Sequence, residues 1–141
     1  MSVRSFFDTN VLVYTDDRSA PAKQQAALDL FEEHLRAGTG VLSLQVLQEY
    51  FATSRKLRVD PALARQKVEL FATLDMVVPA LDDLLAAIDL HRLHDLSIWD
   101  ALVVRAAQRS GCAVLLTEDL QHGRSFDGVQ VENPFLSVAE R

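Results

Sequence analysis

The chain has 141 residues and a mass of 15.7 kDa, about one domain's length, and a domain of that size buries roughly two-thirds of the surface its unfolded chain exposes, so its core needs no staples. Apolar residues make up 49% of it, yet no apolar run approaches the roughly 18 residues of a membrane span, so a soluble protein is expected. A formal charge of −6 argues against a general nucleic-acid coat protein, because phosphates favour a basic partner surface.

Met1 to Ser5 leads into an apolar run without the charged head, long apolar centre and small-residue cleavage site of a signal peptide, so a cytoplasmic location is expected. Residues 3–7 read as a buried strand. Residues 22–36 carry Ala26, Leu28, Leu30, Phe31 and Leu35 among charges, the pattern of an amphipathic helix, which Gly38-Thr39-Gly40 ends. A brief strand over 41–43 precedes a helix over 44–56, with Leu44, Leu47, Tyr50 and Phe51 on its apolar side. Asp60-Pro61 fits an N-cap followed by proline at the first helical position and opens a helix to about Leu74.

Residues 76–79 read as a short strand ending in proline. A helix capped by Asp82 runs to about Leu93, and Ser97 opens another that continues to Arg109 and stops at Gly111. Residues 113–117 form the clearest strand, residues 129–132 a last short one, and the chain end beyond is polar. Strands separated by helices imply an α/β fold whose central sheet is mostly parallel, with helices on both faces. No repeat or linker marks a second domain, so residues 1–141 are expected to form one. The single cysteine, Cys112, excludes an intramolecular disulfide and reads as a small buried hydrophobe.

Four carboxylates in four separate stretches carry the chemistry: Asp8 in Phe7-Asp8-Thr9-Asn10, Glu49 in Gln48-Glu49-Tyr50, Asp100 in Ser97-Ile98-Trp99-Asp100, and Asp119 in Thr117-Glu118-Asp119. In an open parallel sheet, ligands gather beyond the carboxyl ends of the strands, and Asp8 and Asp119 both follow apolar strand segments. Asp100 falls in the first turn of its helix, and Glu49 at the margin of an apolar stripe from which it can reach over the core. Each acid also has a plain structural reading: a cap at Asp100, turns or caps at Asp8 and Asp119, a solvated helix surface at Glu49. Together, acids with no evident basic partner suggest a divalent-metal site, and hard carboxylate oxygens suit Mg²⁺ or Mn²⁺ rather than zinc.

Taken in order, these segments resemble the PIN-domain nucleases, and most closely the VapC-type toxins, over nearly the whole chain. The resemblance implies a three-layer PIN-like fold and a Mg²⁺-dependent endoribonuclease hydrolysing RNA, acting as the toxin of a type II toxin–antitoxin pair, dimeric and blocked by a small antitoxin. It also implies that Asp8, Glu49, Asp100 and Asp119 are the acidic tetrad, that Asp8, Asp100 and Asp119 hold metal, and that Asn10 and Thr117 orient them. A PIN-fold RNA-processing nuclease without an antitoxin, or a non-catalytic binding module, are the competing expectations. Arg55, Lys56, Arg58, Arg65, Lys67 and Arg124 are candidates for steering an RNA backbone.

Other constellations carry less. His91, His94 and Asp95 share a helix face but lack a further strong ligand. His122 reads as a loop histidine, Ser43 and Ser97 lack a paired histidine base in sequence, and Trp99 and Tyr50 are expected in the core.

Overall fold

The computed structural model describes residues 3–138. Met1, Ser2 and the polar chain end at 139–141 lie outside the described residues.

Six strands form one sheet in the order β3-β2-β1-β4-β6-β5: β1 (Ser5–Phe7), β2 (Gly40–Ser43), β3 (Asp75–Val77), β4 (Val114–Leu116), β5 (Ser125–Phe126) and β6 (Val129–Glu132). All pairings are parallel except the β5–β6 hairpin. The helices are α1 (Thr9–Tyr14), α2 (Pro21–Ala37), α3 (Leu44–Lys56), α4 (Pro61–Phe71), α5 (Leu81–His94) and α6 (Ile98–Arg109). Crossovers from β1 to β2 and from β2 to β3 step one way across the sheet, while the connection from β3 to β4 returns past β1. Right-handed crossovers therefore put α2 on one face and α5 with α6 on the other, and α2 touches β2 while α6 touches β2, β4 and β6.

Strands 1 and 2 are buried throughout, as expected of parallel strands covered on both faces. An edge-to-face chain of aromatic rings runs from Phe7 to Phe31, Phe71 and Tyr50, with centroids 5.0–6.3 Å apart, and ties α2, α3 and α4 to the sheet. Two glycines shape the α2–β2 corner. Gly38 ends α2 in the left-handed conformation, φ 68°, and a Cβ on Gly40 would stand 3.0 Å from the Leu74 side chain, so β2 approaches the end of α4 closely only without one.

Several elements depart from the sequence expectations. Neither α1 nor the two-residue β5 is read from the sequence, although Asp8 is a helix cap, as its plain structural reading has it, and begins the six-residue α1. Helix α4 ends at Phe71 rather than Leu74, and Asp60 caps it by backbone conformation without a side-chain bond. At α5 the N-cap is Ala80, and Asp83 rather than Asp82 satisfies the helix start by accepting from the Ala80 N–H at 2.8 Å. Buried Asp83 is also gripped by Arg105 and Arg109 of α6, at 3.0 and 2.6 Å, which fastens the two helices side by side.

Candidate active site

Asp8 and Asp119 come together at the point where the chain reverses its direction across the sheet, with Glu49 and Asp100 near enough for charge to couple them to this pair. Strand β1 pairs with β2 on one side and β4 on the other, with Phe7 in register with Leu116, and the Asp8 N–H donates to the Leu116 carbonyl at 3.1 Å. The residues following the two strands, Asp8 and Thr117, are thereby forced together at a topological switch point, where open α/β sheets bind ligands.

Asp8 is 5% exposed and held on both oxygens. Its Oδ1 accepts from the Thr9 N–H at 2.7 Å, and its Oδ2 from the Thr117 hydroxyl at 2.8 Å and, more loosely, from Asn10 Nδ2 at 3.4 Å. Burial pushes its pKa up from 3.8 to about 7, against those hydrogen bonds, and the charges of Asp119 and Glu49 push the same way. Asp100, half-buried in the first turn of α6, is raised by burial first, opposed by the Ser97 hydroxyl, and raised further by Asp119 and Glu49. Every charged neighbour acting on Asp8 and Asp100 is thus another acid.

Asn10 is the hub of the polar network. Its Oδ1 accepts from the Glu118 N–H at 3.3 Å, which turns Nδ2 towards Thr117 Oγ1 at 3.0 Å and Asp119 Oδ2 at 3.1 Å. The Asp119 N–H in turn donates to Thr117 Oγ1 at 3.1 Å. Glu49 arrives from the second turn of α3: the Thr9 hydroxyl donates to its Oε2 and Gln45 Nε2 to its Oε1, both at 2.8 Å. It is not the freely solvated helix residue of the plain reading. Nor does Asp100 act as a cap, since the Ser97 hydroxyl accepts from the Asp100 N–H at 3.0 Å.

Five of the six residues singled out in the sequence, Asp8, Asn10, Glu49, Thr117 and Asp119, therefore share one hydrogen-bonded network. Asp100 lies within reach of the Asp119 and Glu49 charges without a bond to that network, and two more residues join them. Thr9 bridges Asp8 and Glu49, and Gln45 steadies Glu49; the i, i+4 spacing of Gln45 and Glu49 on one helix is a signal that finds the second. Sequence offers no comparable signal for Thr9.

Trp99 departs from its expected burial: at 63% exposed it stands outside the core, whereas Tyr50 is buried and donates to Asp16 at 2.5 Å. His122 accepts from the Asn133 N–H through Nδ1 and has a loop role. His94 packs edge-on against Phe126, and His91 pairs with the Leu96 carbonyl. Ser43 and Ser97 are helix caps. Of the candidate steering cations, Arg65 pairs with Glu69, Lys67 with Asp16, and Arg124 lies over Phe126 with a bond to the His94 carbonyl.

The donor set fits a hard divalent ion. Among the described residues, no group of three or more His, Cys, Asp or Glu side chains is drawn together closely enough to hold a metal ion as it stands. Mg²⁺ keeps several of its waters and is commonly held through one or two carboxylates, and a buried carboxylate with a raised pKa, ringed by acids, gains most from such a counter-charge.

The chain belongs to the PIN domain family, whose model matches residues 5–125. No curated protein matches it. Three solved structures are similar in fold: a toxin–antitoxin complex from Klebsiella pneumoniae, 20% identical over 92% of this chain and 97% of that one, TM-score 0.67; Mycobacterium tuberculosis VapC20, a toxin described as cleaving the sarcin–ricin loop, 19% identical over 79% and 86%, TM-score 0.62; and VapBC2 from Rickettsia felis, bound to a DNA fragment from its promoter, 17% identical over 92% and 97%, TM-score 0.68.

Proposed function

We propose that residues 1–141 form one PIN domain acting as a Mg²⁺- or Mn²⁺-dependent endoribonuclease, the toxin of a toxin–antitoxin pair. The observation that carries this is the joining of Asp8 and Asp119 through one Asn10–Thr117 network, with Glu49 tied to it through Thr9 and Asp100 raised by the Asp119 and Glu49 charges, and no cation among the charges acting on Asp8 and Asp100. Asp8, Asp100 and Asp119 are the residues that would hold the ion, which when bound supplies charge neutralisation and an acidified water for phosphodiester hydrolysis. Asn10 and Thr117 fix the Asp8 and Asp119 carboxylates in mutual orientation, and Glu49, pinned by Thr9 and Gln45, orients the attacking water.

RNA as the substrate and the antitoxin as the partner rest on the family resemblance and on the toxin–antitoxin proteins among the structural neighbours. The antitoxin is taken to extend a basic arm towards the acids, since a −6 chain with four of them in one place attracts a cationic peptide. Its helix fits the apolar groove of about 660 Å³ between α3 and α4, lined by Leu44, Leu47, Phe51 and Val68. A homodimer is supported by the exposed Leu81, Leu85 and Leu93 of α5. No helix among the described residues is long and apolar enough to cross a membrane, in keeping with a cytoplasmic enzyme.

The test is cleavage of labelled RNA after chelation and Mg²⁺ restoration. Cleavage should return with Mg²⁺ and fall by at least a hundredfold in Asp8→Asn, Asp100→Asn and Asp119→Asn, all still folded. Near wild-type cutting by Asp8→Asn and Asp100→Asn would remove the metal site from the account.

A further inference from the structure

A cavity of about 830 Å³ lies away from the acids. It opens where α1 ends, between the residues that follow α1 and the α3–α4 connection. Its floor is Thr15 and Asp16, and six residues of α1 separate it from Asp8, about 10 Å at the helical rise. Four cations line it: Arg18, Lys56, Arg58 and Lys67. Among the described residues, only six lysines and arginines have no carboxylate within ion-pair distance, namely Arg18, Arg55, Lys56, Arg58, Arg92 and Arg124. Three of the six face this one cavity, and Arg55 adjoins them in sequence. In a chain of net charge −6, that concentration is the opposite of the average surface.

The acids lining the same cavity are largely engaged. Asp16 accepts from Tyr50 and from Lys67, and Asp17 from the Ser19 N–H and hydroxyl, at 3.0 and 2.5 Å; the Asp60 carboxylate, at the start of α4, makes no side-chain cap bond. Arg58 holds its place against backbone preference, since its φ of 59° lies in the left-handed region that favours glycine after a helix. Its N–H closes the end of α3 on the Arg55 carbonyl at 3.2 Å, and the next N–H, of Val59, on the Ser54 carbonyl at 3.1 Å.

We propose that this cavity is a phosphate subsite for the RNA strand, in which Arg18, Lys56 and Arg58 bind a backbone phosphate a few nucleotides from the one held at the acids. It rests on the ribonuclease reading above and adds to it a second anchoring point, aligned along α1, for a strand that the acids alone would repel. Phosphate contacts of this kind position the strand and are indifferent to base identity.

The experiment measures equilibrium binding of single-stranded RNA to the full chain carrying Asp8→Asn, with Mg²⁺ present, across a salt series. An RNA of about twelve nucleotides, within the site sizes of single-strand binders, is compared with a trinucleotide too short to reach both places. In the added double variant Lys56→Ala/Arg58→Ala, the longer RNA should bind at least tenfold more weakly, and the slope of log K against log salt should become shallower by about 0.7, the value for one phosphate no longer neutralised. Trinucleotide binding should not change. Arg58→Gly alone relieves the left-handed backbone while removing the cation, so it should be no less stable than its parent and still weaken the longer RNA. Arg92→Ala, an exposed cation on α5, should change nothing. Equal weakening of both RNAs, or an unchanged salt slope, would overturn the subsite. Inorganic phosphate bound in the cavity without any loss of RNA affinity in the double variant would overturn it as well, leaving a free-anion site. Absence of Mg²⁺-dependent cleavage by the wild-type chain, with the salt-slope change present, would instead sink the ribonuclease reading and leave the subsite standing.

Discussion

At the scale of single residues, Asp8 is under two opposed demands: burial favours its neutral form, and its hydrogen bonds favour the anion. Burial wins, with a pKa of about 7. The consequence for stability has a definite sign. A folded-state pKa above the unfolded value means that folding takes up a proton between about pH 4 and pH 7, so the contribution is fully present below the unfolded pKa and lost as pH rises to 7. The loss is on the order of 4 kcal/mol at about 1.4 kcal/mol per unit, and metal-free protein should unfold at lower denaturant as pH rises through this window. Asp8→Asn should flatten that dependence, as urea titrations at pH 5 and pH 8 would register; an unchanged pH slope would mean the carboxyl ionises freely. Thr9 makes a narrower case. Its hydroxyl bond to Glu49 is partly exposed, so Thr9→Val should cost no more than about 1 kcal/mol of stability. Its activity should nevertheless fall about tenfold, with kcat reduced and KM little changed, because Glu49 loses its fixed orientation; equal effects on stability and rate would make Thr9 a packing residue.

Among the elements, α5 and α6 depend on one buried carboxylate. The Ala80 N–H, then Arg105 and Arg109, hold the Asp83 pKa below the usual carboxylate range, in spite of burial. Its contribution is therefore present above the unfolded carboxylate pKa and lost as pH falls through the lower folded value. Asp83→Ala leaves the Ala80 N–H and two arginines without their acceptor and should destabilise the protein by about 3 kcal/mol at pH 7, and by less at about pH 3, below the unfolded carboxylate pKa. Thermal melts at the two pH values would check it, and an equal loss at both would point to packing rather than charge. The elements also mark what sequence can carry. Long helices with clear apolar spacing, such as α2, α3 and α6, were legible together with their glycine and serine boundaries. Helix α1 was not, because six residues fall short of any periodicity window and its nucleus comes from tertiary contact with α3. Trp99 misled because an aromatic ring is ordinarily a core residue: it stands a turn ahead of buried Val103, yet only its neighbours Ile98 and Ala101 in the first turn pack on the core.

Across the whole molecule, the acids converge because of strand order rather than of any local motif. Placing β1 beside β4 brings residues more than a hundred positions apart into hydrogen-bond contact, and no local pattern in the sequence specifies that adjacency. What the sequence does carry is Asp8, Asp100 and Asp119 at element ends and Glu49 within a helix, in an order whose resemblance to the PIN-domain nucleases nominated the four acids and, beside them, Asn10 and Thr117. Of the two side chains that hold Glu49, Gln45 stands at a legible i, i+4 spacing on the same helix, while Thr9 became visible only in three dimensions, because its bond depends on α1 lying against α3.

The central claim, that these acids gather for a divalent cation, is tested most directly by measuring Mn²⁺ binding to the wild-type chain and to Asp8→Asn at pH 6 and pH 8. With Asp8 titrating near pH 7, its ionised fraction rises from about a tenth to about nine-tenths between those values, and metal affinity should rise nearly tenfold with release of a proton. In Asp8→Asn the affinity should be far weaker and its dependence on pH largely gone. Equal affinities for the two proteins, or no dependence on pH in the wild type, would contradict the account.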